Sequence, residues 1–99
     1  MTKQSMQPAI YILASKKNGT MYVGVTSNLI RRIFEHKNNI TIGFAEKYGC
    51  KSLVYFEILD DMENAILREK QLKAGSRQKK IDLIENQNPD WLDLYNNII

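Results

Sequence analysis

The residues that could do chemistry together are concentrated early in this 99-residue sequence. Tyr11 and Tyr22 fall on one face of a predicted β-hairpin, and Arg32 and His36 are four residues apart, one turn above each other on the predicted following helix. Gly24, just before that helix, favours outward-pointing backbone N–H groups that suit an anion such as phosphate. A guanidinium matches phosphate oxygens and an imidazole can relay a proton, so the pattern indicates phosphate chemistry.

A carboxylate on an apolar helix face is the second unusual feature. Glu69 is three residues from both Ile66 and Leu72, on the stripe that the helix is predicted to bury. Burial of a carboxylate costs free energy unless it is paired with an arginine, with backbone N–H groups or with a metal ion. The candidates for a purely structural ion pair are Arg68, Lys73 and Arg32.

Each early candidate also has a structural interpretation. Tyrosine is common in strands, so Tyr11 and Tyr22 could serve packing alone. Arg32 could be a solvated helix arginine like its neighbour Arg31, and His36 a helix-surface histidine. Residue type and spacing by themselves leave these alternatives open.

The hairpin that positions the tyrosines is predicted from alternation on both sides of Asn18-Gly19, a pair that favours tight turns. A two-residue loop would place Ser15 opposite Tyr22, with Tyr11 and Tyr22 four residue pairs, or roughly 13 Å, apart. One face would be aliphatic, and the other, the tyrosine face, would carry both phenols. Because a sheet normally buries its aliphatic face, we interpret the tyrosine face as free for function.

The remaining elements follow from turn and capping signals. A helix is predicted to start at 26–28, one helical turn at 44–48 and a third strand at 52–59. A second long helix starts at 60–63 and ends at Gly75, and a third begins after Ser76 and ends before Asn88-Pro89. A last short helix from residue 89 or 90 would place four apolar residues on one side: Trp91, Leu94, Tyr95 and Ile98.

These elements predict one α/β domain of the α+β type over residues 1–99, with a small, mainly antiparallel three-stranded sheet flanked by helices. The composition, 43% hydrophobic and 25% charged, is that of an ordinary globular protein. The apolar run at 9–14 is too short for a membrane span and residues 1–8 have no signal-peptide core, so we expect a cytoplasmic protein without membrane contact. A single cysteine and a single histidine argue against an internal disulfide and a structural zinc site.

The net charge of +3 is unevenly distributed. Residues 1–37 and residues 65–80 each contain six Lys or Arg against one acid. If the fold joins these blocks, the surface would attract nucleic acid through sequence-independent phosphate contacts. The alternative is that the lysines simply solvate helices. The candidates for nucleic-acid contact are Gly24, Lys70, Lys73, Arg77, Lys79 and Lys80.

Several motifs in order resemble the GIY-YIG nucleases. Ala9-Ile10-Tyr11 is similar to the first signature triplet and Tyr22-Val23-Gly24 to the second, while the helix arginine, histidine and later glutamate of the family fall on Arg32, His36 and Glu69. The resemblance runs from about Ala9 to Leu94. It is strongest to small single-domain bacterial members related to the catalytic domain of the nucleotide-excision-repair endonuclease.

The resemblance implies a metal-dependent DNA endonuclease that leaves 5′-phosphate and 3′-hydroxyl ends, with branched or damaged DNA as candidate substrates and DNA repair as the setting. Glu69 would bind Mg²⁺ or Mn²⁺, Arg32 would hold the nonbridging oxygens, and Tyr11 and Tyr22 would act on water or on the phosphate. His36 would hydrogen-bond phosphate or relay a proton. DNA is the implied partner.

The sequence departs from the family pattern at two places. Ala9 replaces the first glycine, and Lys80 or Ile81 stands where the family often has asparagine. Two other functions therefore stay open: a non-catalytic nucleic-acid-binding module, and a protein-interaction domain that uses its acidic tail and Trp91. A homodimer or a protein partner is also compatible with the sequence.

Overall fold

A computed structural model describes residues 7–40 and 43–99. The expectations for residues 1–6, and for 41–42 in the connection after the first helix, lie outside the described residues. The strands are β1 (Ala9–Ala14), β2 (Met21–Thr26) and β3 (Ser52–Ile58). The helices are α1 (Leu29–Lys37), α2 (Phe44–Lys47), α3 (Met62–Ala74), α4 (Arg77–Gln87) and α5 (Tyr95–Ile98).

The three strands form one antiparallel sheet in the order β2-β1-β3, which confirms the predicted fold class. β1 is the central strand and all six of its residues are buried. Its pairing with β3 contains an irregularity between Ile12 and Leu13. The first tyrosine triplet therefore lies in the most protected strand of the protein.

The hairpin loop is longer than predicted. Ser15 N donates to Thr20 O at 2.9 Å, which leaves four residues, 16–19, in the loop. The predicted pairing of Ser15 with Tyr22 is wrong by two residues, because Tyr22 lies opposite Leu13. An even shift keeps every side chain on its predicted face. The loop is held by contacts that alternation does not reveal: Thr20 N donates to Ser15 Oγ at 3.0 Å, and the Arg77 guanidinium donates to two loop carbonyls.

Helices cover both faces of the sheet. The aliphatic face packs against Ala65 and Leu72 of α3 and Ile84 of α4. The tyrosine face packs against Leu29 and Ile33 of α1, and Ala45 of α2 lies in the same cluster. The interpretation of a free tyrosine face is therefore wrong, and a site that uses the phenols must open at an edge of the sheet.

Side chains cap the three long helices within the predicted starting segments, but the cap of α3 is Asp61 and not Asp60, whose spacing from Glu63 predicted that start. Asn28 Oδ1 accepts from Arg31 N at 3.2 Å, Asp61 Oδ1 from Asn64 N at 2.8 Å, and Ser76 Oγ from Lys79 N at 3.1 Å. α3 ends before Gly75 and α4 before Asn88, as predicted. Each cap fixes the orientation of a helix that carries a candidate site residue.

The C-terminal segment differs from the prediction. The last helix is α5, which begins only at Tyr95, and Trp91 lies before it with a φ of 56°. Trp91 is buried against the aliphatic face, and its Nε1 donates to Glu85 at 2.8 Å, whereas Leu94 and Tyr95 pack on the tyrosine side. The four apolar residues that were predicted to share one side of this helix therefore pack on opposite faces of the sheet. The buried Trp91 is not available to a partner protein.

In the part of the chain that the structure describes, no helix is both long and apolar enough to cross a membrane.

Candidate active site

A hydrogen bond between Tyr11 and His36 forms the centre of the site. The Tyr11 hydroxyl and His36 Nε2 are 3.0 Å apart, although 25 residues separate them in sequence. Tyr11 is only 2% exposed and His36 is also buried. Central strand β1 fixes the phenol, and α1 brings the imidazole to it across the tyrosine face.

Gly24 makes this arrangement possible. It lies opposite Tyr11 in the neighbouring strand β2. A Cβ atom at Gly24 would be 2.4 Å from Cζ and from the hydroxyl oxygen of Tyr11, far inside van der Waals contact. The tyrosine ring therefore lies directly over a position that has room for no side chain, so the glycine of the second triplet positions the tyrosine of the first.

Tyr22 completes a cluster of three rings. Its ring packs edge to face against Tyr11 with centroids 6.3 Å apart, and its centroid is 5.7 Å from that of His36. The observed register places Tyr22 two residue pairs from Tyr11 rather than four. The two phenols, predicted to be distant, are thus neighbours, and Tyr22 is the more exposed of the pair.

The electrostatic environment keeps both hydrogen-bonded groups neutral. Burial raises the pKa of the Tyr11 phenol well above its usual value; the Tyr22 phenol, Glu69 and Glu35 add to that rise, and Arg32 opposes it. Burial lowers the pKa of His36 below its ordinary 6.5; Arg32 adds to that fall, and Glu35 opposes it. A neutral imidazole therefore faces a neutral phenol at physiological pH.

Arg32 and Arg31 are distinguished by exposure. The Arg31 side chain is 77% exposed, whereas that of Arg32 is 42% exposed and its charge acts on both Tyr11 and His36. A cavity of about 230 Å³ beside these arginines is lined by Thr26, Ser27, Asn28, Arg31, Arg32 and Glu35. Arg32 therefore lies next to a polar opening, and its charge influences both ends of the Tyr11–His36 hydrogen bond.

Glu35 is the member of this site that the sequence prediction missed. Its carboxylate accepts from Arg31 Nε at 3.2 Å and lies 3.8 Å from Arg32 Nε. The spacings of four and three residues on one helix would have indicated these pairs. Their significance depends on the position of α1 over Tyr11, which helix spacing alone does not give.

Glu69 lies on α3, the helix that packs on the opposite face of the sheet from the phenols. α3 packs mainly against β2 and β1, and β2 is an edge strand. The Glu69 side chain is 14% exposed, Lys73 Nζ lies 2.9 Å from its carboxylate, and its charge raises the pKa of Tyr11. The stripe around it is partly as predicted: Ala65 and Leu72 are buried, but Ile66 is exposed.

Comparison with known proteins decides the family. The model of the GIY-YIG catalytic domain matches residues 7–82, which include all five predicted catalytic residues. The chain belongs to the GIY-YIG family.

Proteins named UPF0213 are similar to this chain over most of their length. A UPF0213 protein of Staphylococcus saprophyticus is 36% identical over 75 residues, which cover 76% of this chain and 90% of the relative. One of Syntrophus aciditrophicus is 35% identical over 89 residues, covering 82% and 92%. The solution structure of a UPF0213 protein from Bacillus halodurans is 31% identical, with a TM-score of 0.50 and coverage of 81% and 84%. These similarities agree with the three-stranded architecture.

The GIY-YIG glutamate position fits a hard divalent cation. No group of three or more His, Cys, Asp or Glu residues that could hold a metal occurs within residues 7–40 and 43–99. Mg²⁺ needs only one or two protein carboxylates when water and substrate phosphate supply the other ligands. Glu69 is a partly buried carboxylate and can meet that requirement. Of its three predicted structural partners, Lys73 is the one that pairs with it, and the Lys73 ammonium would have to move away for a cation to bind.

The basic residues predicted to contact nucleic acid have different surroundings. Lys70 is exposed, Lys73 pairs with Glu69, and Lys80 Nζ donates to Gly75 O at 2.8 Å. Arg77 Nη2 donates to two hairpin carbonyls at 2.8 Å, so it fixes the loop. Lys79 lines a cavity between α3 and α4. Gly24 is buried under the Tyr11 ring.

Asn88 is not part of this GIY-YIG site. Its amide nitrogen donates to Val54 O at 3.1 Å and to Leu92 O at 2.9 Å, and its carbonyl oxygen accepts from Leu92 N at 3.0 Å. These three bonds join the end of α4 to β3 and to the C-terminal segment. Asn88 therefore has a structural role, and it does not replace the family asparagine at the position of Lys80 or Ile81.

Proposed function

We propose that this protein is a divalent-metal-dependent DNA endonuclease that hydrolyses phosphodiester bonds. The observation that supports this best is the environment of one phenol. The Tyr11 hydroxyl is bonded to the neutral His36, and its pKa responds to Arg32 and to Glu69. A proton acceptor thus contacts this group, and the charges of a guanidinium and of a carboxylate that could hold a metal act on it, which supplies the functions that phosphodiester hydrolysis requires.

The Tyr11–His36 pair is the proposed proton acceptor. In the tautomer that carries its proton on Nδ1, His36 Nε2 accepts a hydrogen bond from the Tyr11 hydroxyl. As water attacks phosphorus, the phenol oxygen takes a proton from the water and passes its own to Nε2. Because its pKa is raised, Tyr11 works as a neutral relay and not as a preformed phenolate.

Arg32 and Tyr22 are the proposed contacts to the phosphate. Both side chains are partly exposed, unlike Tyr11, so an incoming DNA strand can reach them at the β2 edge. The Arg32 guanidinium can donate to two nonbridging oxygens and stabilise the charge that develops on them. Glu69 would hold Mg²⁺ or Mn²⁺, which supplies charge stabilisation at the leaving 3′ oxygen.

One observation favours a second candidate function, a catalytically inactive nucleic-acid-binding module. The Lys73 ammonium pairs with Glu69 at 2.9 Å and competes with a cation for that carboxylate. If the pair persists when DNA binds, the fold and the basic surface would serve binding alone. DNA repair, implied by the resemblance, fits either function.

Arg32→Ala tests the proposed chemistry, with Arg31→Ala as the matched control on the same helix. We expect Arg32→Ala to lower the cleavage of nicked, flapped or branched DNA in Mg²⁺ or Mn²⁺ by about 100- to 1,000-fold, the usual cost of one donor to a developing oxyanion. Arg31→Ala removes the same charge from an exposed site, and we expect cleavage within about threefold of the unmodified protein. Equal losses in the two variants would show that only the net charge matters. Salt-sensitive binding without cleavage would support the inactive module.

The rate of cleavage is expected to fall on the acid side of a pH profile. The pKa of His36 is lowered by burial and by Arg32, so the ring stays neutral until the pH falls below its ordinary 6.5. Once protonated, Nε2 can no longer accept the phenol proton. The unfolded chain binds this proton at higher pH than the folded one, so stability also decreases as pH falls below about 6.5. His36→Gln, which cannot titrate, should be slow and should lack this acid limb; an unchanged limb would contradict the relay.

A further inference from the structure

A cavity of about 590 Å³ lies between α3 and α4, outside the site described above. Arg68 and Glu69 are consecutive on α3, so their side chains project about 100° apart. Arg68 lines the cavity, whereas Glu69 is not among its lining residues and its charge acts on Tyr11. Residues of both helices line the cavity, among them Leu72 of α3 and Lys79 and Lys80 of α4. Its size is in the range of small-molecule sites.

The two lysines provide the positive charge that is still available in this cavity. The Arg68 guanidinium is paired with Glu57, to whose carboxylate oxygens it donates at 2.9 Å, whereas Asp82 accepts from the neutral amide of Gln78 at 2.8 Å and keeps its negative charge. Among the described residues, none pairs with the Lys79 ammonium, and Lys80 has only the Gly75 carbonyl. The end of the cavity at the turn from α3 to α4 is therefore cationic.

The rest of the lining suits a flat heterocycle. Leu72 is buried in the core and Leu83 is half-buried, and together they give the cavity an apolar part. Asn86 adds an amide group that can donate and accept hydrogen bonds, and Gln71 adds an amide whose oxygen already accepts from Arg68 Nη1 at 3.1 Å and whose nitrogen can donate. An apolar surface with a few polar groups, next to two ammonium groups, is the combination that a base and its phosphate require.

The position of the lysines is unfavourable for the isolated protein. The first turn of α4 carries Arg77, Lys79 and Lys80 and contains no acidic residue. Cations at the amino end of a helix oppose its dipole, so this arrangement lowers stability. Arg77 is used by the hairpin loop, but no contact of the described residues accounts for Lys79. An anion bound in the cavity would offset the unfavourable interaction between these lysines and the helix dipole.

We propose that the cavity between α3 and α4 binds one nucleotide, with its phosphate at Lys79 and Lys80 and its base against Leu72 and Leu83. The nucleotide is either a unit of a nucleic acid strand or a free nucleoside phosphate. The site lies away from the Glu69 flank of α3, so its occupancy does not require the proposed nuclease chemistry.

The test is a titration of the full chain with each probe, monitored through the amide NMR chemical shifts of residues in α3 and α4. The probes are dAMP, a single-stranded hexanucleotide and inorganic phosphate at one ionic strength. Lys79→Gln/Lys80→Gln should weaken nucleotide binding by about tenfold or more, since two charge-assisted hydrogen bonds are lost. Lys16→Gln/Lys17→Gln removes the same charge from the exposed hairpin loop and should change binding less than about twofold.

The outcomes distinguish a nucleotide that is part of a nucleic acid strand from a free nucleotide. Shifts at Gly75 and Asn86 with the hexanucleotide but not with dAMP assign the site to a strand, and shifts with dAMP alone assign it to a free nucleotide. Equal effects of inorganic phosphate and dAMP, or equal effects of the two double variants, would overturn the proposal. Without ligand, the Lys79→Gln/Lys80→Gln variant should have a higher Tm than the unmodified protein. This Tm also shows that the variant folds. A Glu69→Gln protein that no longer cleaves DNA but still shows these shifts would separate this site from the nuclease site.

Discussion

Glu69→Gln is expected to reduce metal-dependent DNA cleavage by about 1,000-fold, the equivalent of roughly 4 kcal/mol of lost transition-state stabilisation. The amide keeps the size of the side chain, which is 14% exposed, but removes the charge that would attract the cation. Lys73 would lose its partner and remain solvated, because it is more than half exposed. The measurement is the single-turnover cleavage rate as a function of Mg²⁺ or Mn²⁺ concentration.

The matched control is Glu63→Gln, which removes the same charge from an exposed position of the same helix. It should cleave at the unmodified rate, and both variants should bind DNA at low salt. Near-normal cleavage by Glu69→Gln at every metal concentration would exclude this carboxylate as the metal ligand. The loss of DNA binding in Glu69→Gln alone would instead indicate a structural function of the Glu69–Lys73 pair.

The elements that carry the site could be predicted because local signals determine them. Alternation assigned Tyr11 and Tyr22 to one face, and a period of two keeps that assignment through an even register shift. The spacing of four in α1 placed Arg32 and His36 on one side of the helix. The caps Asn28 and Ser76 follow from residue type at helix starts.

The features that could not be predicted depend on contacts between distant residues. The loop conformation involves Arg77, 58 or more residues beyond the carbonyls it binds. The covering of the tyrosine face requires α1 and α2 to fold back over β1, and sequence periodicity within a strand does not report that. Trp91 lies in the core and not in the predicted helix, because its indole Nε1 donates to Glu85 and its ring packs on the aliphatic face of the sheet.

The difference between local sequence signals and contacts between distant residues also explains the role of Gly24. Sequence assigned it an outward-pointing N–H group at the start of a helix, a property of the local backbone. The structure shows that what surrounds it is the ring of Tyr11 from the next strand, through a pairing that only the observed register creates. Its geometry therefore links the backbone of β2 to the hydrogen bond between Tyr11 and His36.

Gly24→Ala is consequently expected to have a large effect on both stability and cleavage. The new Cβ would be 2.4 Å from two Tyr11 atoms, so the ring must move away from His36 and the 3.0 Å hydrogen bond is lost. Overpacking of this kind lowers the free energy of unfolding by about 1–3 kcal/mol. Loss of the proton relay should slow cleavage by about 100-fold or more. Chemical denaturation and single-turnover cleavage measure the two effects.

Gly75→Ala is the control for loss of a glycine, because its Cβ would be no closer than 3.5 Å to its neighbours and its φ is −75°. That variant should be as stable as the unmodified protein or slightly more stable, with normal cleavage. A double-mutant cycle then isolates the contact: in a Tyr11→Ala background, Gly24→Ala has no ring to displace and should cost little further stability. If Gly24→Ala were equally destabilising with and without the tyrosine ring, its effect would come from the β2 backbone, and Gly24 would not be the residue that positions Tyr11.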